Sequence, residues 1–504
     1  MKRYFTFIGL LACLITSAQN IEDVLRYSRE NLQGTARFQG MSGAFGSLGG
    51  DLSALNINPA GSAVFNNSLF TMSGTYFSRI SDSDYGGTFN SANSNSLDVN
   101  QVGAALVFKA TDNDSKWKKL SLGFNYDIVQ NFDDQTISGG SGNEGIDNYF
   151  LDFADGIPLD PLKLQQNESV GEAYLDIGAT NGLGFPAQQA FLGFQAGVID
   201  PVADEADNTA YFSNADYTTV NQDFRQTTAG YNSKFTVNAA TQYGENVYFG
   251  ASLNFHTVLY DRVNQYREDF TNADAQQRTI SFDNLLHTEG TGFSLSLGGI
   301  AKLNDFIRVG GSYQSPTWYR LSDAFSQGID SNYPNKDPNF NFFDLNDVNI
   351  FDYQIKTPGK LIGSIAAVFG KNGLLSFDYG YQDMSKAELR PASDTAFANE
   401  NAFISEALGA VSTFRVGGEY RIKRISLRGG YRYEQSPYAD GNIIGDLNGI
   451  SGGVGVNFGG SRLEISVKRT EQDVLQYFFD TGINTPALLS QINTNVTIGY
   501  TMNF

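Results

Sequence analysis

The sequence predicts an all-β protein: a 14-stranded antiparallel transmembrane β-barrel with an N-terminal hatch inside its lumen. Three observations carry this prediction. Many segments alternate apolar and polar residues, the pattern of a strand with one face on lipid and the other on a polar lumen. The connections between these segments alternate long and short. The composition, with 54 Gly, 39 Phe and 26 Tyr but only 17% charged residues, suits strands and turns better than helical bundles. A mean hydropathy of -0.27 argues against apolar spanning helices but not against a barrel, whose strands are only half apolar.

In chain order, residues 1–18 read as a secretory signal peptide. Lys2 and Arg3 precede an apolar stretch from Tyr4 to Ile15, and Thr16-Ser17-Ala18 offers a small-residue cleavage site before Gln19. The run is too short for a membrane anchor. A lipoprotein cut before Cys13 is the weaker reading, because apolar residues continue past Cys13 to the better site. Export through a Gram-negative inner membrane follows. Cys13 is the only cysteine, so the exported chain has neither a disulfide nor a cysteine-based metal site.

Residues 19–67, the expected hatch, do not alternate. "NIEDVLRYSREN" predicts a short helix with Ile21, Val24, Leu25 and Tyr27 near one face. The glycine-rich chain after it is expected as a compact plug at the periplasmic mouth. A barrel of this size has a lumen too wide for its own side chains to fill.

Residues 68–504 are expected to form the barrel. Its strands are read at 68–82, 97–110, 117–131, 219–243, 247–268, 289–303, 306–321, 350–369, 374–390, 409–422, 425–436, 447–458, 462–478 and 491–504. The short connections are 111–116, 244–246, 304–305, 370–373, 423–424 and 459–461, most of them Gly, Asn or Asp hairpin turns. The long ones are 83–96, 132–218, 269–288, 322–349, 391–408, 437–446 and 479–490. Short periplasmic turns and long external loops are the outer-membrane arrangement, and an even strand number places both termini in the periplasm. A soluble sandwich or propeller has no reason to sort its loops this way. The chain ends on "NVTIGYTMNF", with Val496, Ile498, Tyr500, Met502 and Phe504 apolar at every second position. This strand is expected to close the barrel against the first one. Its terminal Phe504 resembles the signal read by the barrel assembly machinery.

A net charge of -20 excludes a nucleic-acid partner, because phosphate binding needs a basic surface. Arg308, Asp378, Arg415, Glu419, Arg428, Arg432, Glu434, Glu464 and Lys468 fall on lumen-facing positions. They read as an ion-pair network or as a polar path and latch to the hatch, and no catalytic pair stands out among them. Haem ligation would want an axial histidine such as the inward-facing His256. His256 and His287 have no partner in the sequence, which favours an ordinary polar role. Loop 132–218 is strongly acidic, with Lys163 its only base. It lacks Asp-x-Asp-x-Asp-Gly spacing and reads as a solvated surface, not a cation site. Within it, "FPAQQAFLGFQAGVI" (185–199) predicts an amphipathic helix with Phe191, Phe194 and Val198 on one face. Trp117 and Trp318 are expected at the two interfacial girdles.

The stretch "GGDLSALNINPAG" (49–61) resembles the hatch of the FadL/TodX family of outer-membrane channels for hydrophobic compounds. Asn58, Pro59, Ala60 and Gly61 match that family's Asn-Pro-Ala-Gly element just before the first strand, and Asp51 stands where its acidic residue would. The match covers roughly 40–65 in residue detail and the rest in architecture only. The resemblance implies a monomeric barrel in a bilayer with lipopolysaccharide, with Asp51, Asn58, Pro59, Ala60 and Gly61 in the hatch gate. It implies passive uptake of a hydrophobic small molecule, of fatty-acid or hydrocarbon type, by hatch rearrangement and a lateral gap in the wall. No cofactor, metal or enzymatic activity is implied. Phe38 and Phe45 of the hatch, with Phe191, Phe194 and Val198 of the loop helix, are the candidate ligand contacts. The alternatives are a FadL-like barrel serving as a secretion or surface-protein shuttle or as an envelope assembly factor, a hemin-uptake receptor, and a barrel enzyme. The plug of a TonB-dependent receptor would need more residues than 19–67 supply.

Overall fold

A computed structural model describes residues 20–112, 114–333 and 348–504. The expected signal peptide and part of the connection 322–349 lie outside the described residues. One closed antiparallel sheet of fourteen wall strands dominates the fold. In chain order they are β1 (Leu69–Tyr85), β2 (Thr88–Lys109), β3 (Trp117–Asn131), β4 (Val220–Tyr243), β5 (Val247–Thr271) and β6 (Gln277–Lys302). Next come β7, in two pieces (Ile307–Gln314 and Trp318–Ser331), and β8, also in two (Asn349–Lys356 and Lys360–Phe369). The remainder are β9 (Gly373–Asp383), β10 (Ala410–Ile422), β11 (Ile425–Glu434), β12 (Leu447–Asn457), β13 (Ser461–Gln476) and β14 (Ala487–Asn503). Each pairs with its chain neighbour, and β14 closes on β1 from Leu69↔Asn503 to Asp84↔Leu488.

The alternation in the sequence is the alternation of the two faces. On β5, Ser252, Asn254 and His256 are buried inward while Phe249, Leu253 and Phe255 are exposed outward. The nine inward charges expected from the pattern also point to the lumen side, and Asp378, Arg415, Glu419, Arg428, Arg432, Glu464 and Lys468 are buried there. The exposed outer face is an apolar band, the surface of a protein that sits in hydrocarbon. At the short-turn rim Trp117 packs edge-on against Tyr243, with ring centroids 5.0 Å apart. Trp318 stands exposed toward the long-loop rim.

Two expected loops are strands instead, and a third, 322–349, is strand through Ser331. Residues 83–96 extend β1 and β2 into a hairpin that turns at Gly86-Gly87, and 269–288 extend β5 and β6 in the same way. Their Ser, Asn, Asp and Thr content hides them from a search for apolar alternation, because strand segments beyond the bilayer have no lipid face to make apolar. Residues 132–218 are no open loop either. The strand Asp134–Gly142 pairs with the upper half of β4, and α3 (Ile146–Ala154), α4 (Val170–Ala179) and α5 (Gly184–Gln195) follow. These helices share a hydrophobic core with the upper ends of β4, β5, β6 and β7 and with Phe478, Phe479 and Ile483. They form a cap over the long-loop mouth.

The hatch fills the lumen along its length, not only at one mouth. Its first helix, α1 (Ile21–Ser28), packs in the upper half against Phe132, Tyr260, Tyr319, Tyr353 and the loop helix α6 (Thr395–Ala407). The Ile21 amide donates to Glu400 Oε1 of α6 at 2.8 Å. The chain then descends through α2 (Ala36–Gly40) and two 3-10 turns, Leu52–Asn56 and Pro59–Val64, to reach β1 at the short-turn end. The first described residues therefore lie toward the long-loop mouth and Phe504 at the short-turn end. The physical reason is the apolar stripe of α1, which finds a greasy upper wall to cover.

Candidate functional site

The hatch is held to the wall by polar contacts at every level. Asn58 caps the 3-10 turn at Pro59 by accepting from Ala60 N at 3.0 Å, while its Nδ2 donates to Gly46 O at 2.7 Å and to the wall carbonyl of Gly299 at 3.0 Å. Asn238 Nδ2 donates to Pro59 O at 2.9 Å. The wall comes this close only because it presents glycine. A Cβ on Gly298 would stand 2.1 Å from Asn58 Oδ1, and one on Gly310 would stand 2.3 Å from Gly46 O. Within the hatch, Gly61 meets Gly49 backbone to backbone, and Gly50 N donates to Gly61 O at 3.1 Å. The Asn-Pro-Ala-Gly element is thus a seat in which each residue's smallness or capping role is used.

Asp51 caps the turn Leu52–Asn56, accepting from Ser53 N at 3.0 Å and Thr35 Oγ1 at 2.8 Å. Burial pushes its carboxyl above the ordinary range, and the nearby Arg37 only partly offsets this. Arg37 itself reaches the wall, where its Nε donates to Glu419 Oε2 at 2.8 Å. Glu419 also pairs with Arg428 at 2.7 Å, and Arg428 with Glu464 at 2.6 Å. Removing one member of so buried a chain costs ~3–5 kcal/mol, because it strands its partner's charge.

Above this network the lumen narrows to water-sized cavities of about 30 Å³ or less. One is lined by Lys234, Lys360, Arg415 and Arg432 against Glu30 and Asp127. Lys360 Nζ pairs with Glu30 Oε2 at 3.2 Å. Burial pushes the Glu30 carboxyl up, but Lys360 and Lys234 outweigh it and hold the group well below the usual range. Arg415 is buried, and its Nε and Nη1 have no hydrogen-bond partner among the described residues. The pattern of the sequence put these cations in the lumen; that they converge beside Glu30 follows only from the fold.

The wall beside this cavity is incomplete. The β2–β3 ladder runs from Lys109↔Lys119 up to Gln101↔Asp127 and stops there. Above that point β3 pairs only with β4, through a register shift between Ile128 and Gln130. Side chains bridge the seam instead: Asn131 Nδ2 donates to Asp98 Oδ2 at 2.9 Å and to Ser96 Oγ at 3.3 Å. Leu97 lies in one outward row with Tyr76, Val496 and Val467, so the seam faces the apolar band. A second small cavity, lined by Asn31, Gln33, Ser96, Asn131, Arg432 and Lys468, backs onto it.

The aromatic candidates divide. Phe38 and Phe45 pack against each other in the hatch core, with centroids 5.5 Å apart, and Phe38 also lines the cation-rich cavity. Phe191 and Val198 are fully buried in the cap core and Phe194 packs half-buried against it, so these three pack in the core that joins helix to barrel. His256 is buried inward, within 3.1 Å of Tyr319 OH. His287 is on the outer face with Asp261 and Glu289, so the two rings lie on opposite sides of the wall. Among the described residues no three His, Cys, Asp or Glu side chains gather as a metal site.

No family model and no curated protein matches the sequence. Solved structures do match in fold. A Pseudomonas aeruginosa FadL homologue superposes with a TM-score of 0.52 at 12% identity, covering 94% of this chain and 99% of its own. The CymD monoaromatic hydrocarbon channel (TM-score 0.49, 14% identity) covers 94% of this chain and 99% of its own. The Ralstonia pickettii toluene transporter TbuX (TM-score 0.47, 14% identity) has the same coverage on both sides.

Proposed function

We propose, with the FadL fold as premise, that this protein is an outer-membrane channel for passive uptake of hydrophobic small molecules. The observation that carries the reading is the seam between β2 and β3. Among the described residues hatch and cap fill the lumen, yet the wall lacks backbone pairing between β2 and β3 where it faces hydrocarbon. A hydrophobic molecule that reaches the lumen leaves sideways into the bilayer, past Leu97, without crossing the hatch. Shifting α1 and the chain to Gln33 opens the cavity behind the seam, so the hatch gates it. Asp51, Asn58, Pro59, Ala60 and Gly61 anchor the part that stays.

Of the fatty-acid and hydrocarbon types, the converging Lys234, Lys360, Arg415 and Arg432 favour the first. An unpaired buried guanidinium is a site for a carboxylate head, and a bare hydrocarbon offers it nothing. Phe38 is the one aromatic candidate placed to meet such a ligand. The long loops face the cell exterior and the short turns the periplasm, where Phe504 is available to the barrel assembly machinery. The chain works as a monomer, without cofactor or catalysis. The test is uptake and binding of a long-chain fatty acid and of toluene by cells producing the protein. A Ser96→Cys/Asn131→Cys pair, cross-linked across the seam, is expected to abolish uptake while leaving the folded barrel intact. Arg415→Gln is expected to weaken fatty-acid binding about tenfold and leave toluene binding unchanged. Undiminished uptake through the cross-linked seam would refute the lateral route.

A further inference from the structure

The outer wall carries a cleft that plays no part in this route. It occupies about 720 Å³ on the lipid side of β5 to β8, just under the loop that begins at Pro391. Cross-strand register orders the wall here into rows. Just below the cleft the row is apolar and aromatic: Phe255, Phe293 and Trp318 stand side by side on β5, β6 and β7. One step higher the row reads Thr257, Thr291, Arg320, Gln354 and Arg390, the last from the three-residue strand Glu388–Arg390. Arg320 and Arg390 are two strand spacings apart, roughly 10 Å. Arg390 pairs with Glu388 at 2.7 Å. Arg320 is exposed and makes no hydrogen bond or ion pair with any described residue. The row above brings two acids to the cleft, Glu289, engaged by His287 at 3.2 Å, and Asp352, so the place for an anion is the arginine row below them.

Such a layering matches an amphiphile lying along the wall. Acyl chains want the aromatic row, and an anionic head wants the cations directly above it. In a chain of net charge -20, an unpaired arginine facing out at the edge of the apolar band is a local exception to the repulsion an anion would meet elsewhere. We propose that this cleft binds the phosphate-bearing headgroup of an outer-leaflet lipid, with a phosphate between Arg320 and Arg390 and Gln354 and Thr291 donating to the headgroup's polar atoms. The site rests on the outer-membrane reading above and adds a structural lipid at a fixed place on the barrel, distinct from the transported molecule.

The test uses the full chain in detergent, titrated with bisphosphorylated lipid A and followed by native mass spectrometry. The fully dephosphorylated glycolipid and inorganic phosphate serve as comparison probes. Retention of the phosphorylated lipid, about tenfold weaker binding by Arg320→Gln/Arg390→Gln, and no change in Arg469→Gln, an exposed arginine paired with Glu471 on β13, would support the site. Equal binding by the cleft variant, equal retention of the dephosphorylated lipid, or displacement by inorganic phosphate as effectively as by the lipid would overturn it. So would a change of the cleft variant from dimer to monomer, which would assign the cleft to a second copy. A chain that fails to enter bilayers overturns the membrane reading and the site together; one that enters but shows no phosphate preference overturns the site alone.

Discussion

At the scale of single residues, the hatch and wall fit through absent side chains. Gly298→Ala places a methyl group 2.1 Å from Asn58 Oδ1, whereas a Cβ on Gly363, in β8, meets nothing within 4 Å. Thermal unfolding should show Gly298→Ala destabilised by about 1–3 kcal/mol and Gly363→Ala nearly unchanged. The Glu30–Lys360 pair makes a second prediction. Its carboxyl is depressed in the folded state, so its stabilisation is present above the ordinary carboxyl pKa and is lost as pH falls through the folded value. Glu30→Gln should therefore lower stability by about 1–2 kcal/mol at pH 7, and the difference from wild type should shrink steadily in melts run below about pH 4.5. The part of this site legible in the sequence was the part governed by local rules. Asn58-Pro59 as a cap and turn, and the inward parity of Arg415 and Lys468, follow from spacing alone. The meeting of Arg415 with Glu30 does not, because it joins positions nearly the whole chain apart.

At the scale of elements, alternation found all fourteen strands but missed their outer ends, chiefly in two ribbons and for one reason. The β1–β2 and β5–β6 ribbons rise past the bilayer, where both faces are wet and the apolar signature vanishes. The amphipathic pattern of 185–199 correctly marked α5, but a stripe says only that one face is covered and not by what. Phe191→Ala should cost about 3–5 kcal/mol of cap stability, seen as faster proteolysis within 132–218, while lumenal ligand affinity stays the same. Loss of affinity without loss of cap protection would return Phe191 to the ligand path. The position of α1 was not legible for a related reason: the wall that covers its stripe is assembled from Tyr260, Tyr319 and Tyr353, far along the chain.

At the scale of the whole molecule, hatch, cap and α6 together occupy the lumen and its long-loop mouth among the described residues. Planar bilayers containing the protein should show no steady ion current, and removal of residues 20–60 should raise conductance at least tenfold. Pairing of β1 with β14 also fixes an order of events during biogenesis. The wall's first and last members lie far apart in the chain, so the cylinder cannot shut before β14 reaches β1. The hatch precedes β1 in the chain, and it meets the wall at Gly298 and Gly310 with no room for a side chain. A plug seated this closely is expected to serve as the former around which the staves are gathered.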